Sequence, residues 1–269
     1  MNRNEQGFST PVAMTVIFSL CIIILAIGTL FSTTNKKLRS IERAYSENAV
    51  VKKILSDIDN DIQLLVTTNT DNYNNPVILN LFTKYSSYNL SINDVSTGIN
   101  ELFMNEEFIK SDCISHLLNT EKDTVRTNYG WINSRYADKK FIQGSNNVDS
   151  FPLVNQIPFY NVYFMNQNFL EAILEYNGIL LSSEKAIQIL NMCNTEIRKE
   201  DLMQILNCSE DHTIFDFLST KTTFWEICFE TKISEVKAIY AAMPNEKKLK
   251  EIDHYELINS VIKRKGGNL

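Results

Sequence analysis

Metal and nucleophile chemistry needs titratable or soft side chains at fixed spacing, and this chain offers few such sets. Cys113-x-x-His116 and Cys208-x-x-x-His212 each carry two zinc-type ligands, but the interval between the pairs belongs to no standard zinc module. Asp57-x-Asp59-x-Asp61 has the opening spacing of a calcium loop. Ile62, however, stands where that loop turns on Gly, and Thr68 where it needs a bidentate Glu. A solvated helix face explains these carboxylates better. His116, His212 and His254 have no Ser, Cys and carboxylate at triad-like spacing, and 8 Gly in the whole chain leave no glycine-rich phosphate loop. The expectation is a non-enzymatic protein with no catalytic residue, no metal site and no cofactor.

Of the 5 cysteines, Cys21 lies inside an apolar run and reads as a small hydrophobe. Cys113, Cys193, Cys208 and Cys228 can pair in three ways outside the cytoplasm, and Cys193 with Cys208 is the possible disulfide nearest in sequence. Four buried thiols are the alternative. A net charge of -6 argues against nucleic acid, whose phosphates call for clustered Lys and Arg. The helical pair over 182–206 joins through Asn194-Thr-Glu-Ile197, with neither the glycine nor the positive charge of a DNA-gripping hairpin. Lys263-Arg-Lys265-Gly-Gly reads as a solvated tail.

The elements that position these residues begin with Phe8 to Phe31, an uncharged stretch rich in Val, Ile, Leu and Phe. It exceeds the roughly 20 residues needed to cross a bilayer. From Asn35 to about Val66, apolar residues including Leu38, Ile41, Tyr45, Val51, Ile54, Ile58 and Leu65 recur at helical spacing, with no Gly or Pro between them. Val77–Thr83 and Tyr88–Asn93 read as short strands, the second entering an Asp94-Val-Ser-Thr-Gly98 turn. Phe224–Thr231 and Glu235–Ala242 alternate as a second strand pair. Helical patterns over Asn168–Tyr176, Ser182–Cys193 and Lys199–Leu206 fall between the two pairs. Strands flanking helices indicate an α+β chain whose sheet carries a helical insertion.

The short polar leader Met1-Asn-Arg-Asn-Glu-Gln-Gly7, joined directly to Phe8-Ser-Thr-Pro-Val12 and the apolar run, resembles a prepilin leader. In type IV pilins and type II secretion pseudopilins, a peptidase cuts after such a Gly and the new N-terminal Phe is methylated. The resemblance makes Gly7 and Phe8 the processing site. Pro11 suits a helix beginning nearby, because the first four amides of a helix have no intrahelical partner and its missing N–H costs little. Most pilin-like subunits carry Glu at the fifth mature position, and Val12 stands there. A carboxylate without a partner in lipid costs about 2.5–3.5 kcal/mol, so a subunit with no neighbour above it does better without one.

Lack of that Glu is typical of the general secretion pathway protein K family of minor pseudopilins. Ile92-Asn-Asp94 with Gly98-Ile-Asn100, Gly130-Trp-Ile-Asn133 and the order of the later helices resemble the same family. The resemblance implies a pilin-like fold: leader 1–7, transmembrane helix 8–34, amphipathic stem 35–66, a pilin-like β part at 67–99 and 219–269, and an inserted helical domain at 100–218. It also implies a non-enzymatic subunit at the tip of a type II secretion pseudopilus, priming assembly and helping export of folded proteins. Implied partners are the prepilin peptidase, two smaller minor pseudopilins, the major pseudopilin, and secreted cargo or the outer-membrane channel. Val12, Val16, Leu20, Ile23 and Ile27 are the expected helix contacts within the inner membrane. Some members bind calcium in the insertion, but Glu106, Glu107, Asp112, Glu210 and Asp211 match no ligand motif here.

Orientation divides the indications. Lys36, Lys37, Arg39 and Arg43 follow the span while only Arg3 precedes it, which by charge alone places the C-terminal side in the cytoplasm. The resemblance implies a cytoplasmic N-terminus and a periplasmic body. The alternative is an uncleaved single-pass membrane protein with an extracytoplasmic sensor or scaffold domain.

Overall fold

The computed structural model describes residues 9–97, 106–120, 160–245 and 251–265. The chain divides into two compact units, Met1–Lys53 and Ile54–Leu269. Helix α1, Ser9–Ile62, supplies all the described structure of the first unit and the opening turns of the second. It starts beside Pro11, whose ring is tolerated in a first turn. No later proline interrupts it, and Gly28 has open space where a side chain would be.

In the second unit Ile54, Ile58 and Ile62 are buried at successive helical turns. The helix then tightens into a 3-10 turn, Gln63–Thr67. Thr67 and Thr68 stop it by turning their hydroxyls onto the carbonyls of Leu64 and Leu65, at 2.9 and 2.7 Å. Helix α2 follows at Pro76–Lys84, where the sequence pattern suggests a strand at Val77–Thr83. The cap decides the outcome. Asn75 Oδ1 accepts the Val77 amide at 2.9 Å, Pro76 takes the first helical position, and Ile78, Leu81 and Tyr85 bury one helical face.

Strand β1, Ser91–Asp94, keeps the second half of the expected Tyr88–Asn93 strand. The first half is a 3-10 turn, Ser86–Tyr88, closed by Asn89 at a φ of 48°. Helices α3 (Glu106–Lys110) and α4 (Asp112–Thr120) come next. After the two-residue strand β2, Tyr160–Asn161, lie α5 (Gln167–Tyr176), α6 (Ser182–Met192) and α7 (Lys199–Leu206). These last three match the expected helices within a residue or two. The strand β3, Leu218–Ser219, pairs with β2 in parallel.

The main sheet completes with β4 (Phe224–Glu230), β5 (Ser234–Pro244) and β6 (Ile252–Arg264). Its order is β1-β4-β5-β6, antiparallel throughout. Trp225, Ile227 and Phe229 of β4 lie opposite Tyr240, Ala238 and Val236 of β5, and all six are buried. This face meets α1, since Tyr240 Oη donates to the Leu55 carbonyl at 3.4 Å. Strand β6 takes in the start of the expected C-terminal tail: Lys263 and Arg264 belong to it, and the Lys265 amide donates to the Ile233 carbonyl at 2.9 Å. The pattern hid it because β6 is an edge strand with only Tyr255 and Asn259 buried, and register shifts in the β5 pairing break strict alternation. Gly98-Ile-Asn100 and Gly130-Trp-Ile-Asn133 lie outside the described residues, as do Gly7 and Phe8.

Candidate functional site

Two assemblies stand out, one in each unit. In the first, every large apolar side chain from Val12 to Phe31 is exposed, including Val12, Val16, Leu20, Ile23 and Ile27 at 52–60%. A water-soluble fold does not leave so continuous a surface uncovered. The hydroxyls in this stretch are satisfied within the helix: Thr15 donates to the Pro11 carbonyl at 2.8 Å, Ser19 to Thr15 at 2.8 Å, and Thr29 to Ala26 at 2.8 Å. In hydrocarbon no water would do this for them. The helix is long and apolar enough to span a membrane.

In the second unit a buried polar clamp gathers the ends of five segments around Asp71, whose side chain is fully buried. Its Oδ1 accepts from Lys221 Nζ at 3.1 Å, with Thr68 Oγ1, whose hydrogen points to the Leu65 carbonyl, also 3.1 Å away. Its Oδ2 accepts from the Thr222 amide and from Tyr255 Oη of β6, also at 3.1 Å. Lys221 Nζ reaches further, to the carbonyls of Leu65 and Thr68 where the stem ends. Asn161 of β2 donates to the Asp71 carbonyl at 2.8 Å and to Thr222 Oγ1 at 2.9 Å. Thr222 Oγ1 in turn donates to Asp94 Oδ2 at 2.6 Å. Gln63 locks the stem to β6 by exchanging two bonds with the Tyr255 backbone, at 2.6 and 2.9 Å.

Burial raises the Asp71 carboxyl despite the opposing Lys221 charge and the hydrogen bonds it accepts. Asp94 is pushed up to about 6, again by desolvation, against the bonds it takes from Ser96 and Thr222. Asp94 Oδ1 accepts from the Ser96 and Thr97 amides at 2.8 and 3.1 Å, which builds the expected turn. Both Asp71 oxygens are saturated by the protein and sealed from solvent. The clamp therefore staples segments together and has no open face for a substrate.

The other candidates separate. Asp57, Asp59 and Asp61 lie within helix α1, and Asp61 pairs with Lys84 at 2.5 Å. Cys113 and His116 are on α4, whereas His212 Nδ1 caps the turn at Ile214. Glu210 pairs with Lys199 at 2.8 Å. No group of three His, Cys, Asp or Glu side chains able to hold a metal occurs among the described residues. Cys193 and Cys208 are both free thiols, so the possible disulfide is absent from the structure. Cys193 Sγ instead lies within donating distance of the Val162 and Ile189 carbonyls, at 3.5 and 3.4 Å, and burial pushes this thiol up to about 11. A hollow of about 490 Å³ on the outer face of the sheet, lined by Glu230, Glu235, Lys237 and Lys263 among others, mixes both charge signs. Two of these side chains already have opposite-charge partners, Lys237 with Glu226 and Glu230 with Lys265.

Sequence reasoning missed Asp71, Asn161, Lys221 and Tyr255, since a clamp built from distant positions has no local spacing. Only the Asp94 turn gave a signal. The fold and helix define an α+β protein with a long apolar N-terminal helix and a small antiparallel sheet. Comparison with protein-family models, with curated proteins and with solved structures found no match to the chain.

Proposed function

We propose that this chain is a non-enzymatic minor pseudopilin-like subunit, anchored by one helix and carrying its head outside the cytoplasm. The observation that carries the reading is helix α1: one unbroken element exposes apolar residues from Val12 to Phe31 and buries Ile54, Ile58 and Ile62 under an antiparallel sheet. Val12, in place of the acidic residue common in pilin-like subunits, supports a position at the end of a fibre. The helices between β1 and β4 supply a bulky head that favours the same place. Its work there is to prime assembly with smaller subunits and to touch cargo or the outer-membrane channel.

Mass spectrometry of the protein extracted from its own membranes tests this. A chain beginning at N-methylated Phe8 is the expected result, and an intact Met1 points to the uncleaved single-pass anchor with a sensor or scaffold head.

A further inference from the structure

Just beyond the apolar run, α1 carries four basic residues within eight positions. Lys36, Lys37, Arg39 and Arg43 are all exposed on α1, and none of them takes part in an ion pair among the described residues. Glu42 is the only acidic side chain within that stretch. The helix continues unbroken through them, so their height above the bilayer follows from its rise. With the edge of the hydrocarbon at Phe31, the 1.5 Å rise per residue sets the Cα atoms of Lys36 and Lys37 about 8–9 Å out, Arg39 about 12 Å and Arg43 about 18 Å. The headgroup layer is roughly 5–8 Å thick on each side.

Direction matters as much as height. Cα–Cβ bonds on a helix tilt toward its N-terminus, which here is the membrane side. Lys and Arg side chains of about 6 Å therefore reach back toward the lipid, with their stems along the helix and their charges in the polar layer. That brings the charges of Lys36, Lys37 and Arg39 to the level of the phosphates. Arg43 stays above it. The unequal positions distinguish a headgroup site from a merely basic surface, because four equal charges would contribute equally to the latter.

We infer that Lys36, Lys37 and Arg39 form a binding collar for the phosphates of anionic phospholipids. The collar holds the depth of α1 where the helix leaves the bilayer. It rests on α1 spanning the membrane, and it is independent of leader processing and of which side the head occupies. Each basic residue at headgroup level is worth about a fivefold preference for anionic lipid.

The full chain in mild detergent, supplied with equal amounts of phosphatidylglycerol and phosphatidylcholine, is examined by native mass spectrometry for retained lipid. The expected result is retention of phosphatidylglycerol over phosphatidylcholine by at least about fivefold. Lys36→Gln, Lys37→Gln and Arg39→Gln together bring the ratio to parity, while Arg43→Gln leaves it unchanged. The collar is overturned if the triple variant keeps the preference, if Arg43→Gln lowers it as far as the triple variant, or if inorganic phosphate alone gives an equal adduct. Flotation with phosphatidylcholine vesicles separates a failed collar from a failed span. A chain that floats without lipid preference loses only the collar, and a chain that does not float loses both.

Discussion

The first turns of α1 and its last turns belong to one helix yet treat their side chains in opposite ways. From Val12 to Phe31 the apolar residues face outward and the hydroxyls of Thr15, Ser19 and Thr29 fold back on the backbone. From Ile54 to Ile62 the apolar residues turn inward, while Asp61 stays at the rim to pair with Lys84. If α1 spans a membrane as proposed, the difference is one of solvent. Where hydrocarbon surrounds a helix, burial of apolar surface drives nothing and polar groups must be satisfied internally. Where water surrounds it, the apolar stripe must find a sheet.

The two regions should therefore break in different ways. The largest effect is expected at the clamp. Asp71→Ala removes the buried carboxylate that Lys221 and Tyr255 share, leaving Lys221 to the stem carbonyls and Tyr255 to the Thr222 carbonyl, and losing one partner of a largely buried pair costs up to about 3–5 kcal/mol. Denaturant unfolding of the head should show that loss while membrane extraction stays unchanged. Next comes a charge in the apolar stretch. Ile23→Arg costs about 2.5–3.5 kcal/mol on insertion scales, and carbonate extraction should show less membrane-integrated protein with the head still folded.

A smaller effect concerns pH. Asp94 is raised to about 6 in the folded head from an ordinary value of 3.8, and Asp71 is raised as well. A proton then binds the folded state more tightly than the unfolded one. This contribution is fully present below about 3.8 and is lost as pH rises through about 6. The head should gain stability, on the order of 1 kcal/mol, as pH falls from 7 to about 5, and Asp94→Asn should flatten that gain in thermal melts. The smallest effect is at Leu181, which sits at a φ of 58° with its side chain 65% exposed. Leu181→Gly relieves the left-handed strain at little cost in burial, and with glycine's larger entropy loss on folding offsetting part of that gain it should raise stability by about 0.5 kcal/mol.

The sequence made visible what local pattern encodes. Uninterrupted apolar and then amphipathic spacing marked α1, alternation marked β4 and β5, and helical spacing marked α5 to α7. It misread α2 because apolar residues in a short run fit either period, and the deciding cap, Asn75 with Pro76, lies just before the run. It missed β6 because an edge strand needs little burial, so its composition resembles that of a solvated tail. The clamp was illegible for a different reason. Asp71, Asn161, Lys221 and Tyr255 come together only through the pairing of strands far apart in sequence, and a buried charge looks like any other Asp or Lys until its partners are known.

The central claim, that one helix serves two solvents, is tested most directly by nitroxide labels placed singly along α1 in the full chain reconstituted in phospholipid vesicles. Collision with oxygen, which concentrates in hydrocarbon, should dominate at positions from Val12 to Leu30 and give way to a water-soluble relaxant beyond Thr33. Equal access of the water-soluble relaxant at Val16, Ile23 and Tyr45 would contradict the account.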